Sequence, residues 1–322
     1  MTSQPMPVSL PGGQAASRVR SPQIQLLTRL MHNVPALLGM AVILGVVLVA
    51  IFAPFIARYP YDLTNLGTIE QAPSAAHWFG TDALGRDMFS RVVWGARSAV
   101  FVVVMTTVLG FSLGVPLGAA AGYFGGWIDT IVMRIADILF AFPGLLFVFL
   151  IAATVKPGII AWAKSVGLGD LARTGYLDYA VVIFALASVG WAGLARLVRA
   201  QVLSVKDREF VISAQAIGVP TWKVIMRHVL PNSLAPVIVA MSMGMGDIAL
   251  SEGYLSFLGI GLQPPAPSWG NILADNAGRY WRTFPQMIWL VLIPGLILAA
   301  VVFAFNFLGD GLNEALNPEI SA

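Results

Sequence analysis

The chain has 322 residues, of which 57% are hydrophobic and 11% charged, with a formal net charge of +3 and a mean hydropathy of +0.79. Soluble domains carry roughly 25% charged residues, so there is too little charge here to coat a water-facing surface, and an integral membrane protein is expected. The lack of cysteine excludes disulfides and thiolate metal sites, and no basic, water-exposed stripe of the kind that nucleic-acid binding needs lies outside the membrane-flanking loops.

Residues 1–34 read as a polar, basic tail carrying Arg18, Arg20 and Arg29. The first apolar run, 35–56, is long enough to cross a hydrocarbon core of about 30 Å. It starts too far into the chain for a cleaved leader and reads as an uncleaved first helix. Five more spans follow. Residues 99–123 are uncharged, 131–155 carry Arg134 and Asp137 near their start, and 179–195 are short. Residues 233–257 are rich in Met and Gly and hold Asp247 and Glu252; 285–308 close the set. The expectation is an all-α membrane protein with six transmembrane helices. Arg134 and Asp137, three apart, suit an ion pair within one helix, and Pro143 and Pro294 suit kinks.

Basic residues beside the spans set the orientation. The densest cluster, Arg196, Arg199, Lys206, Arg208, Lys223 and Arg227, falls in the 196–233 loop. That places this loop, the tail at 1–34 and the tail at 311–322 in the cytoplasm. The loop at 57–96 would then lie outside, as would 156–178, where 158–166 reads as an interfacial amphipathic turn.

The segment 209–232 is the longest amphipathic stretch. Phe210, Ala214 and Ile217 recur at helical spacing, and Gly218 falls where a helix C-terminus needs positive φ. Pro220 suits the first turn of a second helix. In that helix Trp222, Ile225, Met226, Val229 and Leu230 form an apolar stripe, Lys223 and Arg227 share the opposite face, and Pro231 is expected to stop it. Two readings stay open on physical grounds. One is a membrane-surface loop with snorkelling Lys and Arg; the other is a docking element for a cytoplasmic partner.

In the 77–87 segment (HWFGTDALGRD), Thr81 or Asp82 can cap a short turn and Gly85 can break it. Asp87 can cap the run 88–94 that leads into the second span. The segment lacks the ligand density of a calcium site and reads as scaffold. Asp247 and Glu252 inside the fifth span are costly at that depth. Five residues apart, they point about 140° away from each other on a helix. Each being hydrogen-bonded between helices near a wet cavity is one reading; a proton or metal relay is the other. The three histidines, His32, His77 and His228, are scattered, and the chain has no Gly-Lys-Ser/Thr phosphate loop, so no cofactor, metal or catalytic residue is expected.

Several of these segments resemble one family. Gly218 followed by Leu230 and Pro231 resembles the "EAA" loop of ABC importer permeases, with Ile212, Ser213 and Ala214 in place of Glu-Ala-Ala. The 77–87 segment, LSFLG at 255–259, PPAPSWG at 264–270 and FNFLGDGL at 305–312 are similar to the C-type permease of the dipeptide/oligopeptide/nickel branch. The resemblance implies a type I ABC importer transmembrane domain over 97–310 with cytoplasmic coupling helices. It implies four kinds of partner: a second homologous (B-type) permease, two ATP-binding cassette subunits, an extracytoplasmic solute-binding protein and membrane lipid. Ala214, Gly218, Pro220, Lys223, Arg227 and Pro231 would then carry the ATPase coupling. This chain would form half the pathway for peptides or similar solutes in a bacterial inner membrane. The other candidate is a proton-coupled secondary transporter that uses Asp247 or Glu252.

Overall fold

The computed structural model describes residues 28–280 and 287–316. Among them six helices are long and apolar enough to cross a membrane, and the only strand-like feature is an isolated bridge between Thr81 and Asp87.

Helix α1 (Val34–Ile56) starts where the Asn33 side chain accepts from the Ala36 N–H, with Pro35 in its first turn. Helix α2 (Met88–Phe124) is capped by Asp87, which accepts from Ser90 N–H at 2.8 Å. The run 88–94 is therefore not a separate lead-in but the first two turns of one long helix. It ends at Gly125 and Gly126, both at positive φ, where the chain doubles back.

The expected third span, 131–155, is two helices. Helix α3 (Gly126–Phe140) and helix α4 (Gly144–Ser165) are separated by a break at 141–143. Pro143 does not kink a helix; it stands at the α4 N-terminus with ψ 115°, because a ring without an N–H fits only the start of a helix. Helix α4 continues through Pro157 to Ser165, so the first part of the expected loop 156–178 is helical. A single turn, α5 (Gly169–Arg173), then leads to α6 (Tyr176–Lys206). That helix is far longer than the expected 179–195, and Arg196, Arg199 and Lys206 ride on it rather than on a loop.

After α7 (Glu209–Ala216) and α8 (Thr221–Val224), a π turn at Ile225–Val229 runs directly into α9 (Leu230–Phe257). Helices α10 (Trp269–Tyr280) and α11 (Trp289–Leu316) complete the set. Pro285 lies outside the described residues, and Pro294 sits inside α11.

The contact between α2 and α6 is the most extensive between two helices among the described residues. A Cβ placed on Gly114 would lie 2.9 Å from Trp191 O, on Gly118 2.9 Å from Ala195 Cα, and on Gly122 2.8 Å from Arg199 O. A glycine every fourth residue lets two backbones approach in lipid, where packing rather than water exclusion drives association. The partners rise in step along both helices, so the pair is parallel. Gly39 against Ala304 and Gly311 against Ala36 dock α1 and α11 the same way, but antiparallel.

Contacts between loops define two ends of the bundle. At one, Arg86 and Arg91 reach Asp275, Lys156 pairs with Asp178 at 2.9 Å, and Gln263 N–H donates to Asp178. At the other, Asn33 bonds Glu314, Lys206 bonds Gly122 O, and α3 is held to α6 by Arg199 with Asp129 and Arg196 with Asp137. Asp137 thus pairs across helices with Arg196 and not with Arg134, because α3 is a separate helix that packs against α6.

Candidate coupling element, outer scaffold and central groove

The segment 209–229 closes over the second end of the bundle. Helix α7 ends in a Schellman turn: Val219 N–H donates to Ala214 O at 3.1 Å and Gly218 N–H to Gln215 O at 2.9 Å, with Gly218 at φ 81°. Pro220 follows at the N-cap of α8. Inward-facing Val211, Ala214, Val224 and Val229 are buried in one apolar cluster with Val115, Val198, Val202 and Val205 of α2 and α6. Gln215 adds a hydrogen bond to the Tyr123 hydroxyl at 3.0 Å.

The expected apolar stripe of the second helix is split by this packing: Val229 and Leu230 join the buried cluster, whereas Trp222 and Met226 do not. Trp222 and Met226 are 64% and 60% exposed, while Val224 and Val229 are fully buried. In an α-helix residues five apart diverge by about 140°, but the wider π turn sets them above one another. The same turn accounts for Pro231, which does not stop the helix. The Leu230 N–H already reaches back five residues to Ile225 O, and Pro231 occupies the first turn of α9, where its missing donor is not needed.

The outward surface of this element is therefore apolar and aromatic: Phe210, Ile212, Ile217, Trp222 and Met226 are exposed, with Ile217 at 82%. Lys223 lies 5.6 Å from the Trp222 ring centroid. Of the residues singled out from sequence, Gly218, Pro220, Arg227 and Pro231 lie on the exposed side, Lys223 is half-buried, and Ala214 faces the bundle. Composition alone did not mark Ile217, Trp222 and Met226 as surface residues, because apolar types on a helix are first assigned to its buried face.

At the opposite end, the 77–87 segment holds a buried ion cluster. Asp82 accepts from the backbone N–H groups of Leu84 and Arg86, both at 2.9 Å, from Arg86 Nε at 2.7 Å and from Arg91 Nη1 at 2.6 Å. Asp275 of α10 accepts from both arginines. Burial alone would push the Asp82 carboxyl up; Arg91, Arg86 and the two backbone donors outweigh it and hold the carboxyl below its ordinary value. Asp87 caps α2 and accepts a 2.9 Å contact from His77. Both aspartates are thus committed to protein partners, and among the described residues no cluster of three His, Asp or Glu could hold a metal ion. Trp269, 1% exposed, donates from Nε1 to Val92 O at 3.0 Å and locks α10 onto α2.

Asp247 and Glu252 have separate surroundings. Glu252, 1% exposed, accepts from Ser256 at 2.7 Å and bonds Ser268, while Ser256 Oγ accepts from Leu262 N–H. It ties the end of α9 to the loop before α10. Asp247 is exposed on the wall of a groove of about 350 Å³ between α2, α6 and α9, and has no hydrogen bond or ion pair among the described residues. The reading of each acid as hydrogen-bonded between helices is corrected for Asp247, whose side chain meets the groove. Thr106 and Thr107 also line this groove, but their hydroxyl oxygens are buried away from it and have no partner among the described residues.

Comparison with known proteins adds family evidence. Residues 114–322 match the family described as binding-protein-dependent transport system inner membrane component, and residues 21–73 match the N-terminal TM domain of oligopeptide transport permease C. A dipeptide transport system permease protein of Alkalihalophilus pseudofirmus is 39% identical over 303 residues, covering 94% of this chain and 91% of the relative. An oligopeptide transport system permease protein of Bacillus subtilis is 36% identical, covering 91% and 88%. A glutathione transport system permease protein of Shigella dysenteriae is 38% identical, covering 94% and 92%.

Proposed function

The chain belongs to the inner-membrane permeases of binding-protein-dependent ABC import systems, and on that premise we propose that it forms half of a peptide pathway whose gating is driven through residues 209–231. As a member of this family it is a multi-pass inner-membrane protein and a non-catalytic subunit; ATP hydrolysis belongs to partner ATPase subunits, and further membrane subunits complete the importer.

The observation that carries the coupling role is the two-sided character of the 209–229 element. One side is built into the core by Val211, Ala214, Val224 and Val229; the other presents Ile217, Trp222 and Met226 to solvent at the end of the bundle. Apolar patches rimmed by polar groups mark protein contacts, and the rigid attachment means that a partner pulling on the patch moves α2 and α6 with it. The partners in this reading are a second, B-type permease, two ATP-binding cassette subunits and an extracytoplasmic solute-binding protein. The basic residues at this end, including Arg208, Lys223 and Arg227, support a cytoplasmic location, with both termini on the same side. The Asp82 cluster and α10 would then form the outer face that meets the solute-binding protein. Peptides are the solute class favoured by the names of the relatives.

The chain's lack of cysteine makes the test clean. Single cysteines at Ile217, Trp222 and Met226 in the full transporter should cross-link to an ATPase subunit, with a yield that changes when ATP is added. Intact complexes in which none of the three cross-links would overturn the coupling assignment. A proton-coupled carrier working alone is the reading that family membership disfavours.

A further inference from the structure

Toward the end of the bundle that holds Asp82, the groove between α2, α6 and α9 stops at an apolar seal. Leu186 and Ile248 line the groove and also pack into the cluster beyond it. That cluster joins Val102 of α2, Val182 of α6, Leu255 of α9 and Leu262 of the 258–268 loop, all with no exposed surface. Three of the four ride on membrane helices. Val102 and Val182 are further tied by the backbone contact of α2 with α6 at Gly114, Gly118 and Gly122, so those two walls move as one body. Leu262 is the member that a loop supplies.

The backbone around Leu262 is held by three different helices. Gly261 O accepts from Lys156 Nζ of α4 at 3.2 Å, Leu262 N–H donates to Ser256 Oγ of α9 at 3.0 Å, and Gln263 N–H donates to Asp178 of α6 at 3.1 Å. Lys156 and Asp178, both largely buried, also pair with each other at 2.9 Å. Farther along the loop, Ser98 donates to Pro267 O at 2.6 Å and Asn271 Nδ2 to Ala266 O at 2.8 Å. The loop is thus anchored at 266–267 and clasped at 261–263. Lys156 interrupts an otherwise uncharged run of α4 from Gly144 to Ala163, where a charge is costly and marks a function by default. For stability alone, an apolar pair of similar volume serves as well or better than a buried ion pair. What the charged pair adds is a directional hold on both sides of Leu262, one donor and one acceptor, released together when the pair separates.

We propose that Leu262 is a movable plug at the Asp82 end of the translocation groove and that the Lys156–Asp178 pair is the clasp that keeps it shut. The proposal rests on the reading above, in which this groove belongs to the solute path and the Asp82 end lies outside. Lys156 and Asp178 are positioning residues: they hold the loop and do not touch the solute. The shut and open states differ in whether position 262 meets water from outside.

The test uses the complete transporter in right-side-out membrane vesicles, with Leu262→Cys in this otherwise cysteine-free chain and a membrane-impermeant maleimide added outside. Without ATP the cysteine should be protected. With ATP inside and binding protein loaded with tri-alanine outside, its labelling rate should rise about tenfold. Adding Lys156→Met and Asp178→Asn removes both charges together, so neither is left buried alone, and should raise the ATP-free rate about tenfold. Asp178→Asn alone keeps an acceptor for Gln263 N–H and should give an intermediate rate. Lys156→Arg keeps a donor for Gly261 O and a charge for Asp178, and should preserve the protection. Val198→Cys, buried between α2 and α6 at the other end, should stay protected in the uncharged background. Labelling there as well would mean that the whole bundle has loosened, and would overturn the clasp. So would an ATP-free rate at position 262 that none of the charge-removing variants raises. A cysteine at 262 whose reaction does not respond to ATP in vesicles that take up tri-alanine would overturn the plug. Labelling of that cysteine only by reagent enclosed in the vesicles would instead overturn the orientation given above. Vesicles that take up no tri-alanine would overturn the peptide reading, on which the ATP-free comparison of the clasp variants does not depend.

Discussion

Replacement of Gly218 separates the shape of the turn between α7 and α8 from its surface. Gly218 stands at φ 81°, and a Cβ built on it meets nothing within 4 Å. Any L residue there pays for the left-handed backbone, roughly 1–2 kcal/mol, and pays nothing for crowding. That is a factor of about 5–30 in the population of the Schellman turn. The buried Val211 and Val224 on either side keep the element attached to the bundle, so insertion and assembly of the chain should not change. Asparagine tolerates this conformation better than other side chains and should keep at least half of wild-type ATP-driven uptake. Alanine should lower uptake several-fold through the backbone term alone. Tryptophan carries the same backbone cost and also sets an indole on the exposed tip beside Ile217 and Pro220, so uptake should be abolished. The assay is ATP-driven uptake in proteoliposomes, with membrane yield and subunit co-purification as controls. Normal uptake by Gly218→Trp would refute the assignment of this turn to coupling.

Two further expectations concern the end of the bundle that holds Asp82. Asp82→Asn leaves Arg91, 2% exposed, without its buried counter-charge and should cost about 3–5 kcal/mol, read as a lower melting temperature in detergent. Adding Arg91→Met should recover part of the loss. Because Asp82 titrates below its ordinary value of 3.8, its stabilisation is complete above that value and is lost as pH falls through the lower folded one; Asp82→Asn should remove that acid-side slope from the melting curve. Trp269→Ala should cost about 3–5 kcal/mol through the cavity it leaves, and Trp269→Phe about 0.5–1.5 kcal/mol, because the indole hydrogen bond is lost while the Val92 carbonyl keeps its donor within α2. Equal melting temperatures for Trp269→Phe and wild type would show that the indole hydrogen bond to Val92 carries no weight.

The local signals in the chain were readable because their physics is local. Asp87 caps α2 and Gly218 takes the positive φ of a helix end, since each depends on a few neighbouring residues. Uniform hydropathy over 131–155 hides the break between α3 and α4, because a run of apolar residues does not register an interruption of the hydrogen-bond ladder; Pro143 is its local mark. Helix ends at Met88 and Lys206 ran past the apolar windows for the reverse reason, because amphipathic turns continue a helix beyond the lipid-soluble part.

By itself the sequence determined the class of protein, the existence of six spans and the motifs of its family, because shortage of charge and runs of apolar residues leave few other solutions in a bilayer. Only the tertiary structure decided which face of the 209–229 element is free. That outcome turns on the π turn, which rotates Val224 and Val229 inward and leaves Trp222 and Met226 outside. Only the tertiary structure separated the two acids of α9 as well. One helix carries both, but the serines that satisfy Glu252 and the groove that leaves Asp247 open come from how α9 packs against α2, α6 and the loop before α10.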